Sequence, residues 1–230
     1  MRYTGPKLKI LRRFNLIIQP ALTQKFQPPE SNDDKLIAKN MVQSESKNRK
    51  QSLYSIRLIE KQKLRFNYGL TNNQLLNYVK RAQKRSGSTG ENLIKFLESR
   101  FDNIIFRLNL APTINAARQL ILHGHFEINK KKVTIPSYEC CIKDEISITA
   151  KSKNLVLKNA TRAPLKKEKK ERIIVFNKEK KLPNYLLWDE KRSVGTISQE
   201  ISLKDPIVQQ YIKLLRLRIL YVLEYYSRQL

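Results

Sequence analysis

The feature that most constrains this chain is the uneven distribution of its positive charge. Its 230 residues include 46 Lys and Arg against 20 Asp and Glu, a formal net charge of +26 at pH 7. Residues 101–150 carry six basic and five acidic side chains, whereas residues 1–50, 51–100 and 151–200 carry 11 and 4, 10 and 3, and 14 and 6. This division predicts a self-contained folded unit in the nearly neutral middle, flanked by cations that attract a polyanion.

Composition excludes several classes of protein. Hydrophobic residues make up 40% of the chain, enough for a core, so wholesale disorder is not expected. Two adjacent cysteines, Cys140 and Cys141, cannot form the disulfide framework of a small secreted protein, which favours a reducing compartment. No uncharged apolar run approaches the roughly 20 residues of a membrane span, and Gly5-Pro6 lies where a cleavable signal would need its apolar stretch.

The sequence before the neutral middle predicts two helices. Apolar residues at helical spacing predict a basic amphipathic helix that ends near Gly69; they are Leu53, Ile56, Ile59 and Leu64. Thr71 and Gln74 have the spacing of a capping box and predict the start of the second helix. Cations gather in its last turns, at Lys80, Arg81, Lys84 and Arg85. They suit the negative end of a helix dipole, but in a chain of this charge phosphate binding is the favoured interpretation.

A third helix and a short fourth one are predicted next. Ser88 and Glu91 repeat the capping-box spacing, and one apolar stripe from Leu93 to Leu108 predicts a single helix of about four turns. Asn109 can adopt the left-handed conformation that stops this helix, and Thr113 is expected to cap a short helix that ends at Gly124.

Short strands are expected after these helices. Phe126–Ile128, Val133–Ile135 and Ile146–Ile148 each alternate apolar and polar residues, which predicts a small antiparallel sheet. The middle unit would therefore be helix, helix and sheet, with basic side chains near one edge: Arg100, Arg107, Arg118, His123, His125 and Lys130 to Lys132. RNA fits such a surface, because phosphate clamps and shape readout do not need the strict geometry of DNA base recognition.

The C-terminal third begins as a charge run. The mixed charges of residues 166–172 favour a solvated linker or an exposed helix over a compact element. Asp205 and Pro206 suit the N-cap and first position of a last helix, which is apolar on most faces and therefore needs a large packing partner. The pattern leaves open whether Tyr221 to Ser227 continues as helix or turns to strand.

The sequence offers little support for catalysis or metal binding. It contains no glycine-rich phosphate loop, zinc-protease motif or nucleophile elbow. His123 and His125 could in principle share a zinc ion with Cys140 and Cys141, but adjacent cysteines rarely chelate one ion with good geometry. We therefore predict no enzyme, no metal site and no cofactor.

Several stretches resemble the small-subunit ribosomal protein four family and its namesake RNA-binding fold. They run in family order over nearly the whole chain and are Arg2–Lys9, Glu60–Gly69, Thr89–Leu93, Arg100–Asn103, Ala117–Leu120, Ile135–Tyr138 and Glu224–Arg228. The closing stretch resembles plastid members in particular. Many relatives have zinc-binding cysteines near the N-terminus that are missing here, and Asn109 and Lys130 stand where glycine is common.

The resemblance implies an α+β fold in which a mainly helical, discontinuous domain holds an inserted RNA-binding fold of two helices and an antiparallel sheet. The expected parts are a basic N-terminal part at 1–98, the compact RNA-binding domain at 99–151, a charged linker or insertion at 152–184, and a segment at 185–230 that packs back on the helical part.

The resemblance also implies a structural constituent of the small ribosomal subunit in the chloroplast stroma. Such a protein binds small-subunit rRNA, nucleates assembly of the subunit body and contributes to translational accuracy. Its expected neighbours are ribosomal proteins five and three, and messenger RNA where it enters the subunit, with no membrane and no small-molecule substrate. A free RNA chaperone or ribosome assembly factor is the alternative.

The predicted RNA-binding residues fall into three groups. The N-terminal group is Arg2, Tyr3, Lys7, Lys9, Arg12 and Arg13. The helical group is Arg57, Lys61, Lys63, Arg65, Lys80, Arg81, Lys84 and Arg85. The group in the compact fold is Arg100, Asn103, Arg107, Thr113, Arg118, Gln119, His123, His125, Lys130 and Lys131.

Overall fold

The structure is a computed structural model that describes residues 52–156, 182–189, 192–203, 205–214 and 217–227. The predictions for the N-terminal group of RNA-binding residues and for the charge run at 166–172 lie outside the described residues.

Three helices form the first described part: α1 (Leu53–Asn67), α2 (Asn72–Lys84) and α3 (Thr89–Glu98). The predicted capping box of α2 is confirmed, because the Thr71 side chain accepts from the Gln74 N–H and the Gln74 side chain accepts from the Thr71 N–H. The second predicted box is wrong. Ser88 is the N-cap of α3, but its side chain makes no capping hydrogen bond.

The apolar stripe from Leu93 to Leu108 forms two helices instead of the predicted single one. Helix α3 ends at Glu98 and α4 covers Phe101–Arg107, with Arg100 between them in extended conformation at φ −64° and ψ 137°. A distant loop holds the break open: Phe101 N–H donates to the Tyr138 carbonyl at 2.9 Å, and Cys140 N–H donates to the Ser99 carbonyl at 2.9 Å. Periodicity continues across the break because both helices bury their apolar faces in one core.

The turn into the next helix follows the prediction. Asn109 has φ 58°, in the left-handed region. Thr113 caps helix α5 (Ile114–Leu122), and its hydroxyl accepts from the Ala116 N–H at 3.1 Å. Gly124, at φ 71°, ends this part of the chain.

Five antiparallel strands form one sheet in the order β2-β1-β3-β5-β4. The first three are β1 (Phe126–Ile128), β2 (Lys131–Lys132) and β3 (Glu145–Ile148). The predicted strand at Val133–Ile135 is wrong, because β2 lies two residues earlier. Asn129 and Lys130 both have positive φ, 50° and 64°, so a two-residue turn pairs Ile128 with Lys131 at once.

The C-terminal part supplies the other two strands, β4 (Leu186–Asp189) and β5 (Val194–Ile197). Strand β5 pairs with β3, with Ile146 opposite Gly195. A Cβ at Gly195 would lie 2.8 Å from Leu108 Cδ1, so this position needs a glycine for the sheet to approach the end of α4.

Two helices complete the described chain, α6 (Pro206–Leu214) and α7 (Ile219–Ser227). The predicted start of α6 is confirmed, since Asp205 Oδ1 accepts from the Ile207 N–H at 3.1 Å. Residues 221–227 are helical and not a strand, but they belong to the separate helix α7 instead of continuing the predicted last helix, because α6 ends at Leu214. Among the helices of the described residues, none has the length together with the apolar composition that a membrane-spanning segment requires.

Helix α7 packs against α1, so the end of the chain returns to its first described helix. Arg57 Nε donates to Glu224 at 2.7 Å, and Arg218 N–H donates to Glu60 Oε2 at 2.9 Å. The described structure is therefore α+β, with one core that continues from the helices into the sheet.

Candidate nucleic-acid interface

A fully buried carboxylate, Glu98, joins three parts of the chain. It accepts hydrogen bonds from Tyr68 Oη at 2.6 Å, Asn103 Nδ2 at 2.6 Å, Arg107 Nη2 at 2.7 Å and Tyr185 Oη at 3.2 Å. Tyr68 follows α1, Asn103 and Arg107 lie on α4, and Tyr185 precedes β4. The carboxylate therefore connects the helical part, the compact unit and the C-terminal segment.

The ion pair between Glu98 and Arg107 and its hydrogen bonds keep both side chains charged although they are buried. Burial by itself would raise the pKa of the Glu98 carboxyl, but Arg107 and the hydrogen bonds outweigh it and hold the pKa below its ordinary value. Burial opposes the charge of Arg107, yet the attraction of Glu98 raises the pKa of Arg107 well above its ordinary value. Burial, followed by the charge of Glu98, raises the pKa of both Tyr68 and Tyr185 well above the usual value.

A second buried carboxylate, Asp102, forms ion pairs with Arg100 and Arg118. Arg100 donates to it at 3.0 and 2.8 Å, and Arg118 Nε donates to it at 2.6 Å. Arg100 also donates to Tyr78 Oη at 2.7 Å, and Arg118 donates to the carbonyl of Gly69 at 2.6 Å. Asp102 thus ties α4 and α5 to α2 and to the turn before it.

Four predicted RNA-binding residues therefore lie inside the protein and not at an edge: Arg100, Asn103, Arg107 and Arg118, each at most 8% exposed. A buried guanidinium needs a counter-ion, and the two carboxylates supply it. The sequence prediction missed both carboxylates. The available signal was an acidic residue within each of two apolar helices of a strongly basic chain.

The predicted cations of α1 are also engaged within the protein. Arg57 pairs with Glu224, and Lys63 Nζ lies 2.7 Å from a Glu60 oxygen. Lys61 is 6% exposed, and its Nζ lies 4.4 Å from the centre of the Tyr225 ring.

Arg65, the last of this group, stacks on an aromatic ring. Its guanidinium lies 4.4 Å from the ring centre of Phe66, and burial lowers the pKa of Arg65. Like the other three cations of α1, it is partly or wholly shielded from solvent.

The cations at the end of α2 are exposed, as the sequence predicted. Arg81 makes a two-pronged ion pair with Glu139, and Arg85 lies 3.9 Å from Glu200. Lys80 and Lys84 form no ion pair with any residue in the described part of the chain. These two lysines are accordingly available to phosphate.

A depression of about 320 Å³ lies along α5. It is lined by Pro112, Ala116, Gln119, Leu120, His123, His125 and Leu155. His125 Nδ1 lies 2.7 Å from Ser152 Oγ, which fixes the ring, and the ring centres of His123 and His125 are 5.9 Å apart. Three predicted residues, Gln119, His123 and His125, are thus brought to one place.

The β1–β2 hairpin carries three more cations, one of which, Lys132, reaches the backbone between two residues that line the depression. Lys130, Lys131 and Lys132 are exposed. A Cβ at Gly124 would lie 1.9 Å from Lys132 Cε, so the lysine chain crosses the backbone between the two histidines. Thr113, by contrast, serves as the N-cap of α5. We call the depression and the three hairpin lysines together the α5 surface.

The cysteines take no part in the α5 surface. Cys140 is buried, and burial raises the pKa of its thiol, while Cys141 is exposed. Across the described ranges, no group of three or more His, Cys, Asp or Glu side chains could hold a metal ion.

The buried acids pair with arginines inside the protein, and exposed lysines lie on the unit of two helices and a sheet. These features are typical of one class of protein, the basic RNA-binding proteins. Comparison with known families agrees: residues 2–98 match the ribosomal protein S4/S9 N-terminal domain, and residues 99–146 match the S4 domain. The chain belongs to the small ribosomal subunit protein uS4 family.

Relatives match over almost their full length. Small ribosomal subunit protein uS4c of Oltmannsiellopsis viridis is 43% identical over 229 residues, which cover 99% of each chain. The uS4c protein of Pinus koraiensis is 46% identical over 228 residues, covering 99% of this chain and 98% of the relative. The uS4 protein of a Synechococcus strain is 43% identical over 231 residues, covering 100% and 99%.

Proposed function

We propose that this chain is a non-enzymatic, structural constituent of the small ribosomal subunit of chloroplasts and that it binds small-subunit rRNA. Family membership over the whole chain is the observation that carries the proposal. The names of the uS4c relatives support the chloroplast assignment.

The proposed contact surface combines the end of α2 with the α5 surface. Exposed lysines without an acidic partner in the described structure attract phosphates, and each neutralised phosphate releases counter-ions. The buried arginines act as positioning residues, because they fix α2, α4 and α5 relative to one another. The N-terminal group from Arg2 to Arg13 is included in the proposal for its charge and for the family resemblance, since it lies outside the described residues.

The finer roles rest on the family resemblance. We propose that the protein nucleates assembly of the subunit body and contributes to translational accuracy, with ribosomal proteins five and three and the incoming messenger RNA as neighbours. We also propose the division into parts at 1–98, 99–151, 152–184 and 185–230, with α7 on α1 as support for the return of the last part.

Binding to RNA across a salt series tests the proposal. Purified protein is titrated with a small-subunit 5′-domain rRNA fragment and with an unrelated structured RNA of equal length. Both affinities fall with salt, by roughly 0.7 to 0.9 in logarithmic slope for each phosphate contact. A persistent preference for the rRNA fragment at physiological salt supports the proposal, and superimposed curves contradict it.

A free RNA chaperone or assembly factor is the second candidate, because the net charge of +26 by itself gives affinity for any RNA. Sedimentation of organelle lysate on a sucrose gradient separates the two. A structural constituent remains with mature small subunits, whereas an assembly factor is confined to lighter precursor fractions.

A further inference from the structure

We propose that the depression on α5 is a binding pocket for one unstacked nucleobase of the RNA, in addition to the phosphate contacts around it. This inference rests on the proposed function, since it names what one part of the rRNA-binding surface takes up.

The size and lining of the depression suit a planar aromatic ligand. Its volume of about 320 Å³ lies at the lower end of the range for small-molecule sites, about 300 to 1,000 Å³. Pro112, Ala116, Leu120 and Leu155 supply apolar walls. Leu155 is 48% exposed, so covering it with a base would remove apolar surface from water.

The polar groups at the rim suit recognition of a base edge. Gln119 is exposed and carries both a donor and an acceptor on one planar amide, the combination that can pair with a purine edge. His123 is exposed and presents an imidazole on which a base can stack. His125 is held by Ser152, so one side of the rim is fixed before RNA arrives.

Charge selects a nucleotide over an apolar peptide as the occupant. None of the seven lining residues is acidic, and Lys132 crosses Gly124 between the two histidines. Lys132 therefore lies where a phosphate of an extruded nucleotide would run. A base in the depression with its backbone over the hairpin satisfies both features at once.

A pair of leucine substitutions on α5 tests the pocket. Ala116→Leu fills the depression, while Asn115→Leu adds the same side chain at an exposed neighbouring position outside it. Full-length protein of each variant is titrated with the 5′-domain rRNA fragment. We expect Ala116→Leu to lose about tenfold in affinity, the scale of one stacked base, with an unchanged salt slope, and Asn115→Leu to bind like the parent chain.

Chemical probing of purine N7 positions and of Watson–Crick edges in the same complexes identifies the base. One purine should be protected by the parent chain and by Asn115→Leu but reactive with Ala116→Leu. Gln119→Ala, a change on an exposed helix surface, should also expose it, so a folding defect of the Ala116 variant leaves the test intact.

Two results would overturn the pocket. Identical footprints and affinities for the parent, Ala116→Leu and Gln119→Ala would do so while leaving rRNA binding in place. So would normal rRNA binding by Ala116→Leu combined with failure to enter the subunit, because the occupant would then be a protein. If the parent chain itself does not prefer the rRNA fragment, the proposed function fails first.

Discussion

At the residue scale, two buried carboxylates decide what Arg100, Arg107 and Arg118 do. Glu98 and Asp102 are 0% and 1% exposed. Glu98 accepts hydrogen bonds from elements far apart in sequence, and Asp102 accepts them from Arg100 and Arg118. Because Lys and Arg greatly outnumber Asp and Glu in this chain, few buried carboxylates are present to act as counter-ions for arginines in the described structure. The guanidiniums that reach Glu98 or Asp102 become structural, whereas the cations at the end of α2 and in the β1–β2 hairpin are exposed.

Glu98→Gln tests this account. The amide keeps the shape but leaves the Arg107 cation buried without a counter-ion, so we expect a loss of about 3 to 5 kcal/mol in the free energy of unfolding. Glu91→Gln, at an exposed position of the same helix, should cost less than about 1 kcal/mol. Urea denaturation at pH 7 measures both, and equal losses would refute the role of Glu98.

Acid should weaken the protein partly through Glu98. Its pKa is lowered in the folded state, so its contribution to stability is present above the ordinary carboxyl value of about 4.3 and is lost as the pH falls through the folded value. Urea midpoints of the parent and of Glu98→Gln should converge between pH 7 and pH 3. A gap that stays constant over this range would contradict the prediction.

At the element scale, residues close in sequence predicted where helices begin and where a turn lies. The break between α3 and α4, by contrast, depends on contacts with a distant part of the chain. The cap at Thr71, the left-handed Asn109 and the start of α6 follow from nearby residues. The break at Arg100 depends on the loop at Tyr138, about which periodicity carries no information. Strands β4 and β5 were missed: β4 pairs only with β5, and the partner that joins β5 to the sheet, β3, lies more than 40 residues earlier in the chain.

The two capping patterns, one formed and one not, give a matched prediction for helix stability. Thr71→Ala removes a capping hydrogen bond and should cost about 1 kcal/mol. Ser88→Ala removes a hydroxyl that caps nothing and should cost much less. Urea denaturation compares the two, and similar losses would mean that the capping bond adds little.

Substitution by glycine should change the stability of the protein in opposite directions at two neighbouring lysines of the hairpin. Lys130 has φ 64°, which glycine adopts without strain, so Lys130→Gly should raise stability by about 0.5 to 1 kcal/mol. Lys131→Gly removes the same charge from strand β2 and should lower stability by a similar amount. Thermal unfolding distinguishes the signs; destabilisation by both would argue against a strained turn.

At the scale of the whole molecule, the C-terminal segment closes the structure at two places. Strand β5 extends the sheet at β3, and α7 packs on α1. Both contacts join the end of the chain to elements formed much earlier in the sequence. The family resemblance predicted the return onto the helices but gave no register for the sheet.

The single tryptophan makes this closure measurable, because Trp188 lies on β4. Trp fluorescence and far-ultraviolet circular dichroism should report the same urea midpoint. Gly195→Val places a side chain against Leu108 and should lower both midpoints together, at a cost of about 1 to 3 kcal/mol.

Thr196→Val serves as the control. It keeps nearly the same side-chain shape at the next residue of β5 and should shift the two urea midpoints little. An earlier transition in fluorescence alone would show that the C-terminal segment unfolds by itself.

The position of Glu98 also has a consequence for the order of synthesis. A growing chain contains Tyr68, Glu98 and Arg107 well before Tyr185, so the carboxylate meets its last hydrogen-bond donor only when the final fifth of the protein emerges. Until then strand β3 also lacks its neighbour β5. A nascent chain stalled before this point therefore carries an unpaired strand edge and an incomplete core, the features by which quality control recognises unfinished proteins.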